Sequence, residues 1–534
     1  MRLRGFILTT AVSLLAMAGV NAEAQRIPGY VILGGELGNS SASSKDDIRN
    51  YFPKLKQMGL NTVLMPVYWE LIEPEEGHFD FTLLSEALQA ANENDLKIVP
   101  LWFGAWKNSM SCYAPSWVKK DTKRYPRAIT DEGKPLEILS AFSDNVLNAD
   151  LKAFNAFIDY LKSNDKNNIV TMIQIENEIG MLESARDHSP IADKEYAKGI
   201  PESLAKSLGV STGASWNTLS TDTDYAEEMF MAWNYARYVE QLAKVAREKL
   251  PSTPLYVNAA MDSRGRRPGQ YPSAGPLARL ASIWKAGAPS VDFLSPDLYD
   301  PPFAAWFNQY DMKGNPLFIP EIRRSTDSGT HAFYAFGQHN ALGFSPFSIE
   351  NATPAEAERL KEAYGLLETV VPLSREKECY GLLFDSSNAK ESITKEQDGI
   401  RTISSHFFTL PWDSRATDGS VWPDGGGIVI RLAKDEYLIA GSGIVVKWET
   451  VGESDIEASL GEDGFMQTGS DAAKKHGWQG KGRVGILSCD EVKVNPDGSF
   501  TTVRRLNGDE THQGRHVRIG VDGYKALHVK LYRY

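Results

Sequence analysis

The sequence predicts a (β/α)8 TIM barrel followed by an all-β, sandwich-like domain. Three observations carry that prediction. Between residues 29 and 373, eight short apolar runs alternate with stretches of helical periodicity. Those runs are nearly continuous in apolar residues, the pattern of strands buried on both faces of a parallel sheet. From about residue 376 the helical period fades, and short alternating runs separated by Gly-, Asp- and Ser-rich turns replace it, as in an antiparallel sandwich.

Taken in order, residues 1–24 read as a secretory signal. Arg2 and Arg4 form a basic start, Phe6 to Val20 an apolar core, and Ala22-Glu23-Ala24 a small-residue cut that leaves Gln25 as the new N-terminus. The apolar run is too short to span a bilayer comfortably. The expectation is an exported protein, periplasmic or extracellular after cleavage near Ala24, with no stable membrane insertion. Strand candidates follow at 30–34, 61–67, 97–103, 169–175, 254–259, 291–296, 316–320 and 342–347. Between them Ile48, Phe52, Leu55 and Met58 share a helical face, as do Leu151, Phe154, Ile158 and Leu161. Ala236, Val239, Ala243, Ala246 and Leu250 form another, and Leu360, Ala363, Leu367 and Val370 a fourth. Ser44, with Asp47 three residues on, is placed to cap the first helix. A doubly wound open sheet is the alternative, but Gly34-Gly35-Glu36-Leu37-Gly38 is a poor version of its Gly-rich turn, and eight repeats is the barrel count. The barrel is assigned to residues 25–375 and the sandwich to 376–534. In the latter Gly427 to Leu432, Tyr437 to Ala440, Ile444 to Trp448, His516 to Ile519 and Ala526 to Tyr532 read as strands.

Composition narrows the function classes. The 534 residues carry a formal charge of −12, which becomes −13 when Arg2, Arg4 and Glu23 leave with the signal. No basic stripe is present, so nucleic acid is not an expected partner and a neutral ligand fits better than a polyanion. The three cysteines, Cys112, Cys379 and Cys489, are far apart and allow at most one disulfide. The nine histidines form no His-x-His or His-Glu-x-x-His pair, and no Gly-x-Ser-x-Gly elbow occurs. Metal-dependent and serine-dependent hydrolysis are therefore disfavoured, and no metal or organic cofactor is expected.

Two glutamates stand where barrel enzymes keep their chemistry, at the C-terminal ends of strands. Glu178 ends the fourth run, Ile-Val-Thr-Met-Ile-Gln-Ile-Glu-Asn-Glu, and Glu321 ends the seventh, Pro-Leu-Phe-Ile-Pro-Glu. A carboxylate pair of this kind cleaves a glycosidic bond, one member as acid and the other as nucleophile. Asn177 is placed to bind a sugar 2-hydroxyl, although Asn-Glu can also simply cap the next helix. Tyr299 ends the preceding strand segment and is placed to hold the nucleophile, or to pack as a rim aromatic. Glu36, Glu70, Asp297 and Glu350 are rivals for the nucleophile, and periodicity alone does not choose among them. Glu36 and Glu70 also count as candidate substrate contacts. Aromatics crowd the strand ends, among them Trp69, Trp106, Trp117 and Trp306. Any one tryptophan is more often core than platform. Trp69 and Trp106, just past strand ends, are the preferred platforms for a sugar face.

The run Ile-Gln-Ile-Glu-Asn-Glu-Ile-Gly (173–180) resembles the acid/base motif of glycoside hydrolase family 35, the retaining β-galactosidases. Met58-Gly59-Leu60-Asn61-Thr62-Val63, then Trp69, then Glu73-Pro74-Glu75-Glu76-Gly77-His78-Phe79-Asp80-Phe81, looks like that family's second-strand signature. The likeness covers residues from about 30 to 350. It implies an acid/base after strand four with Asn before it, and a nucleophile after strand seven, which are the places of Glu178 and Glu321. The segment from 376 resembles a β-domain appended to some bacterial relatives, including ones acting on xyloglucan side chains. The chain departs from the family pattern at Glu70 (usually Asn), at Gly104-Ala105-Trp106 (often Ala-Glu-Trp, whose Glu contacts galactose) and at Ile322-Arg323 after Glu321 (usually aromatic). The resemblance implies an exported retaining exo-β-glycosidase acting on an oligosaccharide, with β-galactosidase the preferred specificity. A β-glucosidase, an α-L-arabinopyranosidase, an endo-glucanase or a non-catalytic carbohydrate-binding barrel are the alternatives.

Overall fold

The computed structural model describes residues 26–410, 412–451 and 482–534, together with the backbone of 459–460 and 466–467. Residues 1–24, read from the sequence as a signal, lie outside the described residues. Eight parallel strands close on themselves: β1 (Ile32–Glu36), β2 (Thr62–Tyr68), β3 (Lys97–Lys107), β4 (Ile173–Asn177), β5 (Leu255–Ala260), β6 (Phe293–Leu298), β7 (Ile319–Ile322) and β8 (Gly343–Pro346), with β1 hydrogen-bonded to β8 and to β2. A helix follows each strand: α1 (Lys45–Gln57), α2 (Thr82–Glu93), α3 (Asp144–Asn164), α4 (Thr223–Lys249), α5 (Ala281–Gly287), α6 (Phe303–Tyr310), α7 (Ser328–His339) and α8 (Pro354–Glu376).

Several strands run further toward their C-terminal ends than the apolar runs suggested. β1 extends to Glu36, β3 to Lys107, β4 to Asn177, β6 past Asp297 and β7 past Glu321. A ladder of backbone hydrogen bonds is indifferent to side-chain polarity, so polar residues remain in the strand where the barrel mouth accepts them. The helices start as their sequences dictate. The Ser44 hydroxyl accepts the Asp47 N–H at 3.1 Å and caps α1, which buries Ile48, Phe52 and Leu55. Thr353 and Glu356 form a reciprocal capping box at the start of α8, with Pro354 in its first turn. The Tyr364 hydroxyl of α8 donates to the carbonyls of Gly34 (2.8 Å) and Phe344 (2.9 Å), which pins that helix across the β1–β8 seam where the barrel closes.

Beyond α8 the chain is antiparallel. A six-stranded sheet holds β9 (Glu378–Phe384), β12 (Gly425–Ala433), β13 (Glu436–Ser442), β18 (Lys525–Arg533), β15 (Val484–Val494) and β16 (Phe500–Leu506), in that spatial order. A four-stranded sheet holds β10 (Ser392–Gln397), β11 (Ile400–His406), β14 (Ile444–Thr450) and β17 (His516–Ile519). Phe384, Ile439 and Val529 of the first sheet pack against Val446, Trp448 and Val517 of the second, so the two form a sandwich. The opposite face of the larger sheet, with Leu383, Ile428 and Leu438, joins the barrel core over α7 and α8. All three cysteines are free, and no described helix is long and apolar enough to cross a membrane.

Glycine makes the sheet-on-helix contact possible. A Cβ on Gly381 would stand 2.7 Å from the Gln338 nitrogen and 2.9 Å from the Tyr334 oxygen, both backbone atoms of α7. Gly381→Ala therefore has to lift β9 off the helix, and we expect it to cost about 1–3 kcal/mol of stability in a denaturant titration. An unchanged midpoint would show that the contact is looser than described.

Candidate active site

Charged side chains from five strand ends meet at the C-terminal mouth of the barrel: Glu36 (β1), Lys107 (β3), Glu178 (just after β4), Asp297 (β6) and Glu321 (β7). All five are buried. Glu178 sits in the left-handed region with φ +44°, a costly conformation for a non-glycine residue that its surroundings must hold. Its N–H donates to Asn258 Oδ1 at 3.0 Å, and its carbonyl accepts the Ser109 N–H at 3.1 Å. The turn is thus clamped from β5 on one side and from the loop after β3 on the other. Asn258 also donates from Nδ2 to Asp297 Oδ2 at 2.6 Å. Lys107 Nζ donates to Asn177 Oδ1 at 2.8 Å, and the Tyr299 phenol donates to Glu321.

One carboxylate oxygen from each of Glu178, Asp297 and Glu321 lies within 4.8 Å of the other two. Crowding and burial act together on their protonation. Burial, then the Glu321 charge, push Glu178 up to about 7, against a counter-pull from Lys107 and a hydrogen bond with Asp297. Burial, then the charges of Glu321, Glu178 and Glu36, lift Asp297 well above the carboxylate range. Burial and Glu321 do the same to Glu36. Burial disfavours the Lys107 ammonium, but Glu321, Glu178, Glu36 and Asp297 outweigh it and leave its pKa above the ordinary lysine value. Burial and then Glu321 raise Tyr299, so its phenol keeps its proton. Three oxygens this close would suit a divalent cation, and the Lys107 ammonium interacts electrostatically with all three carboxyl groups. The arrangement offers an acid poised near neutrality beside a second carboxylate, which is the equipment of acid-assisted displacement.

Lys107, Glu178, Asp297, Tyr299 and Glu321 line a cavity of about 360 Å³ whose walls also include Asn39, Asn108, Met261, Arg264, Trp306 and Phe347, while Glu36 and Asn177 lie outside its lining. Asn177 Nδ2 is buried without a protein partner, and Glu178 Oε2, Asp297 Oδ1, Glu321 Oε2 and both oxygens of Glu36 are buried and receive no N–H or hydroxyl of the chain. That is a donor and acceptor set suited to a polyhydroxylated ligand.

Of the residues singled out from the sequence, Glu178, Glu321, Asn177, Tyr299 and Glu36 gather here. Three do not. Trp106 is 0% exposed, with its indole N–H on the Leu139 carbonyl (3.2 Å) and its ring against Tyr238 (4.6 Å), because it faces the helix layer while Lys107 faces the cavity. Trp69 is likewise 0% exposed, packed on Trp117 and bonded to Glu73 at 3.1 Å. A sugar platform needs an open ring face, so neither tryptophan is one. Glu70 lies outside the cavity and pairs with Lys119 at 3.9 Å. The sequence reading passed over Lys107 and Asn258, and it treated Asp297 only as a rival nucleophile. A lysine at the end of an apolar strand was a usable signal, since lysine is rarely buried without partners. Asn258 carried no comparable mark.

Comparison with known proteins gives two family matches. Residues 29–271 match the model of glycosyl hydrolases family 35, and residues 360–518 match a domain of unknown function, DUF5597. A β-1,2-glucosyltransferase of Ignavibacterium album is 26% identical over 170 residues, which are 28% of this chain and 23% of that protein, so the chain spans under a quarter of that relative's length. Among solved structures, β-galactosidase from the psychrophilic Marinomonas ef1 is 12% identical with a TM-score of 0.47, covering 64% of this chain and 61% of that one. The catalytic domain of β-amylase from Paenibacillus polymyxa is 13% identical with a TM-score of 0.45, covering 61% of this chain and 94% of that one.

The raised acid has a consequence for stability. Glu178 titrates at about 7 in the folded chain against 4.5 as a free side chain, so the folded state binds the extra proton and loses stability as pH rises from 4.5 to 7. Glu178→Gln removes that penalty. The variant is expected to be more stable than the parent at pH 8, by on the order of 3 kcal/mol, and to match it near pH 4. Thermal unfolding at the two pH values checks this, and equal differences at both would contradict it.

Proposed function

From the family 35 match over residues 29–271 we propose that the protein is a glycoside hydrolase, and within that class an exported retaining exo-β-galactosidase releasing terminal β-galactosyl residues from complex oligosaccharides. The observation that carries the retaining assignment is the spacing of Glu178 and Glu321, whose nearest oxygens lie within 4.8 Å. Retaining enzymes hold the two carboxyl groups about 5–5.5 Å apart, whereas inverting enzymes leave roughly 6.5–9.5 Å for a water.

In this reading a Glu321 oxygen attacks the anomeric carbon as Glu178 delivers its proton to the departing glycosidic oxygen. The C1–O bond to the leaving sugar breaks and an ester to Glu321 forms. Glu178, now ionised, takes a proton from water, whose oxygen attacks C1 and frees Glu321 with the original configuration restored. The Tyr299 phenol holds the Glu321 carboxylate in line. The Asn177 amide nitrogen, unpartnered in the protein, is free for the 2-hydroxyl. The preference for galactose rests on the family match and export rests on residues 1–24. A glucoside or arabinopyranoside turned over where the galactoside is not would move the specificity within the same chemistry.

Glu178→Ala and Glu321→Ala are each expected to lower kcat on a natural oligosaccharide by about 10³-fold or more. Proton NMR of early product should show the β-anomer, and a 2-deoxy-2-fluoro glycosyl fluoride should esterify Glu321. A label on Asp297 or Glu36, or α-anomeric first product, would overturn the assignment. Because Glu178 must carry its proton to act, kcat/KM should fall above about pH 7, and that limb should vanish in Glu178→Ala assayed with a nitrophenolate leaving group. For export, N-terminal sequencing of the mature protein should begin at Gln25. A chain retaining Met1 would remove that part of the proposal.

A further inference from the structure

We propose that Asp297 is a third catalytic residue, a neutral carboxylic acid whose Oδ1–H donates a hydrogen bond to a ring hydroxyl of the sugar held between Glu178 and Glu321. The proposal rests on the glycosidase reading and adds to it a group that selects the sugar.

The position of the proton follows from hydrogen-bond bookkeeping around Asn258. The Glu178 backbone N–H can only donate, and it donates to Asn258 Oδ1. The other end of that amide is therefore the NH₂ group, which donates to Asp297 Oδ2 at 2.6 Å. Asp297 Oδ2 is thus an acceptor, and any proton on this acid sits on Oδ1. That oxygen is buried, receives no N–H or hydroxyl of the chain and belongs to a side chain lining the cavity.

The surroundings favour the proton. Asp297 has an oxygen within 4.8 Å of both Glu178 and Glu321. The Glu36 carboxyl adds a further acid to the group, and Lys107 is the only cation among the five buried charges at the strand ends. Three or four ionised carboxylates cannot share one ammonium in a buried site, so the surplus acids stay neutral. The direction of the Asp297 shift, upward from burial and its acidic neighbours, agrees. A neutral acid is a donor, and a sugar hydroxyl meeting it gains a hydrogen bond in a site shielded from water, where losing such a partner is expensive.

The test compares Asp297→Asn with Asp297→Ala. An asparagine accepts from Asn258 through its carbonyl and presents its NH₂ where Oδ1–H stood, so Asp297→Asn should keep kcat/KM within about tenfold of the parent. Asp297→Ala, or Asp297→Leu if alanine unfolds the chain, should lose about 10²–10³-fold. The second readout is a set of nitrophenyl glycosides lacking one hydroxyl at a time, made on whichever sugar the parent turns over. The parent should discriminate against one deoxy position, and that discrimination should disappear in Asp297→Ala. If Asp297→Asn falls as far as Asp297→Ala, the group acts as a carboxylate and the proposal fails. If Asp297→Ala still discriminates against every deoxy sugar as the parent does, the residue only positions its neighbours and the proposal fails. A parent inactive on all nitrophenyl glycosides would instead defeat the glycosidase reading itself.

Discussion

One buried ammonium surrounded by four carboxyl groups is the constraint on which this active-site region depends. Lys107 stands with Glu36, Glu178, Asp297 and Glu321 at the barrel mouth, and all five side chains are almost fully out of solvent. Burying so many acids is unfavourable unless charge is compensated or protons are retained. A single lysine compensates only part of it, so the remainder is met by protonation. That is why Glu178 is poised near neutrality and why Asp297 and Glu36 lie above the carboxylate range. The raised pKa of Glu178 thus comes first from burial and then from the charge of Glu321.

Holding mutually repelling groups in place is the task of the scaffold. The strained turn at Glu178 is clamped by Asn258 and by the loop after β3, and Asn258 ties the same turn to Asp297. Glu321 is held by the Tyr299 phenol. Behind it, α7 and α8 are covered by the six-stranded sheet of the sandwich, whose glycines allow the sheet to sit directly on helix backbone. The His331 ring of α7 also meets Asp424 of the β-domain at 2.8 Å. The sandwich therefore buttresses the sector of the barrel that carries Glu321, a structural role that needs no sugar contact of its own.

The fold was legible because its signals are local. Continuous apolar runs and 3.6-residue periodicity report burial on both faces of a strand or one face of a helix, and Ser44, Thr353 and Pro354 mark helix starts directly. Strand ends were read short because Glu36, Lys107 and Asn177 break the apolar pattern without breaking the ladder. Trp69 and Trp106 were misread for a related reason. Their proximity to strand ends is visible in sequence, but the pleat of β3 turns Trp106 onto α4, and Trp69 opens a short helix after β2 (Trp69–Ile72) and packs on Trp117.

By itself the sequence determined the alternation of strand and helix, the switch to β-structure near residue 376, and the two strand ends bearing Glu178 and Glu321, since each is written in residues close together along the chain. Only the tertiary structure decided that Lys107, Asn258 and Asp297 belong with those glutamates, that Trp306 rather than Trp69 or Trp106 borders the cavity, and which acids hold protons. Those outcomes depend on distances between side chains from separate strands and on the water excluded from around them, quantities that exist only once the barrel has closed.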